Sequence, residues 1–118
     1  MFKVLEKEQD GNLSGIFHCF NGTKEQAEIA MSLGFHLGLG GVITYKNCDV
    51  KSFLGEIPIN KIVLETDDPY LPPVPYRGKR NEPSYMIEVA KKIAEVKGID
   101  IKEVASATTD NAKRLFIL

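Results

Sequence analysis

Cysteine is scarce: Cys19 and Cys48 are the only two, and neither sits in a CxxC pair. That excludes a disulfide scaffold and a thiolate metal knot, and it fits free thiols in a reducing compartment. A long apolar run is absent, since no stretch approaches the roughly 18 residues of a membrane span. The first eight residues, Met1 to Glu8, carry acids and no extended apolar block, unlike a secretory leader. Together these features point to a cytoplasmic protein with no membrane partner. Charge of one sign is also lacking. The formal net charge is −1, so any attraction to nucleic acid must come from a local patch. No internal repeat or low-complexity tract occurs.

What remains is ordinary globular material: 118 residues, 43% apolar and 26% charged, enough for one domain, spanning residues 1–118, and a core. Met1 to Glu8 has helical character without a cap, and Asp10-Gly11-Asn12 reads as a turn. Gly15 to Phe20 is a short, almost wholly apolar strand of the kind covered on both faces. Thr23 and Gln26 have capping-box spacing at the start of a helix that Gly34 stops. Phe35 to Val42 reads as a second strand containing Gly38, Gly40 and Gly41, which suggest close backbone approach. Asp49 is a candidate cap for a short helix burying Val50, Phe53 and Leu54. Residues 61–67 form a third strand. Asn81 is the expected cap of a helix with Met86, Val89, Ala90 and Ile93 on one face, ended by Gly98. Asp100 and Glu103 suggest another capping box. A last helix begins at Thr108 or Thr109, with Ala112, Leu115 and Phe116 on one side. The alternation predicts an α/β protein with three parallel strands followed by helices. Three strands with open edges look like part of a larger sheet.

The chemistry concentrates where the third strand ends. Val63, Glu65 and Asp67 share one face, and Ile62, Leu64 and Thr66 the other. Acids are rarely buried unless paired or bound to metal, so Glu65 and Asp67 read either as metal-site carboxylates or as ion pairs at a sheet end. His18 stands near the C-terminal end of the first strand, where α/β proteins place their sites. It reads as a ligand sharing a metal with Asp67, or as a core histidine bonded to a carbonyl. His36, at the opposite end of its strand, reads as structural. Cys19 points away from His18 toward the core, and Cys48 occupies a polar turn. Asn21-Gly22-Thr23 offers backbone N–H groups that either hold an anion or cap the helix.

Five of the six prolines lie in the loop from Asp68 to Pro83. Prolines stiffen a loop that positions a substrate, and Arg77, Lys79 and Arg80 are phosphate-binding side chains. A metal beside a phosphate clamp equips a phosphodiester hydrolase. The rival reading is a PxxP ligand at Pro72-Pro73-Val74-Pro75.

Four segments together resemble the TatD family of metal-dependent deoxyribonucleases. Gly15 to Gly22 is similar to that family's HCFxG segment. Leu64-Glu65-Thr66-Asp67-Asp68-Pro69-Tyr70 is similar to its LETDSPY segment. Pro75 to Pro83 is similar to its PxRGxRNEP loop, and Thr108 to Phe116 to its TTxNAxRLF tail. The resemblance implies the C-terminal part of a TIM (β/α)8 barrel of the amidohydrolase kind. It implies one or two divalent ions (Mg, Mn or Zn) at the barrel mouth and DNA as substrate, often cut from 3′ ends. It implies His18 and Asp67 as metal ligands, with Asp67 also acting on the attacking water. Glu65 would stand behind them, and Arg77, Lys79 and Arg80 would face substrate phosphates. The family's HxH pair, bridging Glu and middle-strand His are not in this chain, and Asp68 replaces a Ser. The resemblance therefore leaves the metal site incomplete and implies either self-association or union with the N-terminal half of a barrel. Two alternatives stand beside the nuclease: a non-catalytic fragment that self-associates, and a barrel acting on a small amide or ester.

Overall fold

The structure, a computed structural model, describes residues 7–8, 14–66 and 69–116. The expected N-terminal helix and the Asp10 turn lie largely or wholly outside these residues. The order is β1 (Gly15–Phe17), α1 (Lys24–Ser32), β2 (Phe35–Leu39), four short three-ten turns between Gly41 and Lys61, β3 (Ile62–Leu64), a three-ten turn (Pro83–Tyr85), α2 (Met86–Lys97) and α3 (Ile101–Phe116). The strands form one parallel sheet with β2 in the centre. Gly15 is in register with Phe35, and Leu37 with Ile62.

Register and alternation divide the sheet into two faces. One carries Phe17, Leu37, Leu39, Ile62 and Leu64. Leu37, Leu39 and Ile62 are fully buried there, packed against α1 through Ala27 and Ala30 and against α2 through Val89, Ala90, Ile93 and Ala94. The other face carries Ile16, His36, Gly38, Val63 and Glu65. The expected three-strand parallel sheet and trailing helices are therefore present.

Several boundaries differ from the sequence reading, each for a local reason. β1 stops at Phe17 because Cys19 turns into left-handed backbone (φ 48°); the ladder resumes with Phe20 N–H donating to Gly38 O at 2.8 Å. Cys19 is thus half-buried in a turn, not a core strand residue. β2 ends at Leu39, where Gly41 opens a three-ten turn. Asp49 lies inside another such turn and caps nothing with its side chain, although Val50, Phe53 and Leu54 are buried together as expected. Thr23 and Gln26 do form the capping box, so capping accounts for Asn21-Gly22-Thr23. Gly98, at φ 66°, closes α2.

The C-terminal helices are the largest correction. Residues 101–116 are one continuous helix, not two. Asp100 caps it by accepting from Lys102 N–H at 2.8 Å. Its buried seam is Val104, Thr108 and Asn111, whereas Phe116 is exposed. The polar members fit because their groups are satisfied. Thr108 Oγ1 donates to Val104 O at 2.8 Å, and Asn111 Nδ2 donates to Ile59 O and Ile62 O, each at 2.8 Å. Asn111 thereby ties α3 to the start of β3.

Replacing Asn111 with alanine would take the amide donor from Ile62 O and leave Ile59 O with the Ile62 N–H alone. The expected cost is about 1–3 kcal/mol, read as a lower urea midpoint at unchanged m-value. A loss within error of zero would show that the tie contributes nothing.

Candidate active site at the C-terminal end of the sheet

All three strands run the same way, so the loops after them meet at one end. Hydrogen bonds knit these loops together. Glu65 N–H donates to Leu39 O at 3.0 Å, extending the ladder past β3. Tyr45 Oη donates to Pro72 O at 2.6 Å, and Val74 N–H donates to Thr44 Oγ1 at 2.8 Å. Cys48 Sγ lies 3.7 Å from Asn21 Oδ1, so this thiol is buried and partnered rather than idle in a polar turn.

His18 sits one residue beyond β1, with a 67% exposed side chain, and its Nε2 is 3.7 Å from Glu65 Oε1. The Glu65 side chain is only 13% exposed. It reaches across the inner face over Gly38, where an added Cβ would fall 2.3 Å from Glu65 Oε2 and 3.1 Å from Ile16 Cγ2. A side chain at position 38 would therefore press on the end of Glu65 and on Ile16. Gly41 meets the backbone expectation: a Cβ there would lie 2.3 Å from Leu71 O and 2.9 Å from Pro73 N. The carboxylate brought to His18 is thus Glu65, which the sequence had placed behind Asp67. Asp67 and Asp68 lie outside the described residues.

An imidazole and a carboxylate on one face suit a divalent cation. Donors at zinc bond lengths of about 2.0–2.2 Å stand roughly 3.3–3.6 Å apart in a tetrahedron, close to the observed gap. Among the described residues no group of three such donors occurs. They fit a metal as two members of a donor set and also form an ion pair when His18 is protonated.

The loops after the strands also enclose a cavity of about 520 Å³ lined by Asn21, Tyr45, Lys46, Asn47, Val74 and Arg77, among others. The Arg77 guanidinium carbon stands 4.1 Å from the Tyr45 ring centroid, a cation–π contact worth about 0.5–1 kcal/mol at an exposed site. Burial raises the Tyr45 phenol above its usual pKa, and the Arg77 charge opposes that rise. Lys79 and Arg80 are exposed and do not line this cavity, so the structure separates them from Arg77.

The proline loop is anchored at both ends. Asn81 is not the cap of α2 but a buried clamp, 3% exposed. Its Nδ2 donates to Thr66 O and, at 2.8 Å, to Tyr70 O, and its N–H donates to Pro69 O at 2.9 Å. Tyr76 and Tyr85 stack with centroids 3.8 Å apart. Pro73 is fully buried, which removes the PxxP reading. Sequence reasoning missed Tyr45 and Lys46 and gave Asn81 the role of a helix cap. The available signal was position alone, since Tyr45 and Lys46 follow a strand's C-terminal end.

At the other end of β2, His36 is half-buried. Burial lowers its pKa, the Lys61 and Arg114 charges lower it further, and a hydrogen bond to the Asn60 backbone opposes them.

Comparison with known proteins follows the same lines. The family described as "TatD related DNase" matches residues 1–117. A Bacillus subtilis protein named "Uncharacterized metal-dependent hydrolase YabD" is 48% identical over 114 residues, covering 96% of this chain and 45% of that protein. The "3'-5' ssDNA/RNA exonuclease TatD" of a Rahnella strain is 36% identical over 110 residues, covering 88% of this chain and 42% of that one. The crystal structure of the TatD homologue YJJV from Escherichia coli superposes with a TM-score of 0.90 at 29% identity, over 99% of this chain and 45% of that chain. The chain thus spans under half the length of the relatives it matches, and its sheet and helices are part of a TIM (β/α)8 barrel. No helix among the described residues is long and apolar enough to cross a membrane.

A His36 pKa depressed below the unfolded value of about 6.5 means that the unfolded chain binds more protons between those two values. Stability should be full above about pH 6.5 and fall as pH drops toward the folded pKa. Denaturant melts across that range should show the fall, and His36→Gln should flatten it. An equal acid slope in the variant would assign the effect elsewhere.

Proposed function

The chain belongs to the TatD related DNase family, and on that premise we propose that it is part of a divalent-metal-dependent hydrolase cleaving phosphodiester bonds of DNA. The observation that carries this reading is the His18–Glu65 pair, 3.7 Å apart, at the same end of the sheet as a cavity walled by the Tyr45-backed Arg77.

In this reading His18 and Asp67 hold the ion, with further donors from outside this chain's described residues. The ion, when bound, polarises a phosphoryl oxygen and makes bound water more acidic. Asp67 orients the attacking water and accepts its proton. Glu65, close to the His18 imidazole and mostly shielded from solvent, fixes the orientation of that ring. Arg77 binds a substrate phosphate with a guanidinium already held over the Tyr45 ring, so less orientational freedom is lost on binding. Lys79 and Arg80, exposed on the same loop, draw the polyanion in by long-range attraction. The acid at position 68 opposes that attraction. Two thiols outside any CxxC pair agree with work in the reducing cytoplasm.

A second reading has its own observation. With no three-donor group among the described residues and a three-strand sheet whose outer strands are β1 and β3, the chain alone would be a non-catalytic piece. It would cover its sheet edges with a second copy or with the remainder of a barrel.

Single-stranded DNA labelled at its 5′ end, given Mg²⁺, Mn²⁺ or Zn²⁺ and a version carrying the whole barrel, separates the roles. Asp67→Asn should lower kcat by about 100-fold or more, and Arg77→Ala should chiefly raise KM. Unchanged turnover in Asp67→Asn would remove the proposed role. Size-exclusion chromatography with light scattering should return a mass above the 13.1 kDa of one chain. A folded monomer would end the self-association reading while leaving the nuclease assignment standing.

A further inference from the structure

A second cavity, of about 440 Å³, opens at the N-terminal end of the sheet, opposite the His18–Glu65 pair. Ser14, His36, Asn60, Lys61, Arg114 and Leu115 line it. Four separate pieces of the fold converge there: the residue before β1, the start of β2, the turn into β3, and the last turn of α3. Three of the six side chains are basic, one is a hydroxyl and one an amide. No carboxylate is among them. The proposed hydrolase chemistry uses none of these groups.

The site is held in place from within. Arg114 Nη2 donates to Asn111 Oδ1 at 2.8 Å. Asn111 is itself clamped to Ile59 O and Ile62 O, on either side of Lys61. One buried amide thus keys the guanidinium to the segment carrying the ammonium. One of the guanidinium's donors is used in this way, and its fork retains others for a ligand. His36 Nδ1 is buried and makes no hydrogen bond. The charged groups acting on His36 are Lys61 and Arg114, and no acid among the described residues acts on it. Among the described residues, positive groups surround this polar atom and no acid lines the cavity.

We propose that this cavity binds a phosphate group, as inorganic phosphate or as a phosphomonoester, between Lys61, Arg114 and His36. Phosphate carries a charge of about −1.5 to −2 at neutral pH with several strong acceptor oxygens. It can take a forked pair of bonds from Arg114, a point charge from Lys61 and a proton-bearing nitrogen from His36. The Ser14 hydroxyl and the Asn60 amide are further donors. Binding and protonation are linked: an anion seated here favours the imidazolium, so it must raise the His36 pKa, and acidification must tighten the anion.

The chain has two histidines, so proton NMR of the imidazole Cε1–H groups reads the site directly, with His18 as an internal comparison. Sodium phosphate is titrated against the full chain at constant ionic strength set with sodium chloride. The expected result is a saturable His36 shift with a Kd on the order of 1 mM and a His36 pKa raised by roughly one unit at saturation. Lys61→Gln and Arg114→Gln should each weaken binding by about 10-fold without abolishing the folded spectrum. Lys61→Gln serves if loss of the Asn111 contact unfolds the other. Adenosine monophosphate binding more tightly than phosphate assigns a phosphomonoester, and equal affinity assigns the free ion. No saturable shift, an equal shift with chloride alone, or an unchanged response in Lys61→Gln overturns the proposal. None of these outcomes bears on the nuclease reading.

Discussion

Everything functional in this molecule depends on the parallel pairing of β2 with strands on both sides. That pairing fixes direction as well as position. Because β1, β2 and β3 all point the same way, the residues that follow them must gather at one end, and those that precede them at the other. The register also decides which side chains share a face. It places Ile16, Gly38, Val63 and Glu65 together and turns Leu37, Leu39 and Ile62 into the helices. A one-residue slip would exchange the two sets.

Side chains bonded to backbone do much of the remaining positioning. Asn81 holds the proline loop to the end of β3, Tyr45 holds the same loop to the segment after β2, and Asn111 holds α3 under the start of β3. Each is a polar side chain donating to a backbone carbonyl of another segment. The loop carrying Arg77 is consequently part of the framework, which is why a long irregular segment can serve as the wall of a site.

The sequence made some of this legible and hid the rest for identifiable reasons. Alternation in Val63-Leu64-Glu65 and the short apolar run at Gly15 to Phe17 disclosed parallel strands with a polar inner face. Capping at Thr23 and the stop at Gly98 are local chemistry and could be read locally. The helix over 101–116 was misdivided because Thr108 and Thr109 look like boundary residues; Thr108 is instead buried, its hydroxyl bonded back to Val104 O within the helix. Asn81 was misread for the same reason. The reach of the Glu65 carboxylate over Gly38 depends on a neighbouring strand 27 positions earlier, which no local pattern reveals.

Gly38 and Glu65 share one hollow on the inner face. A methyl at position 38 would fall 2.3 Å from the Glu65 carboxylate and 3.1 Å from Ile16 Cγ2. The acid can swing its flexible end aside, whereas the Ile16 branch has to give by a few tenths of an ångström. Filling the hollow would therefore first be felt as a carboxylate turned away from the imidazole it now meets.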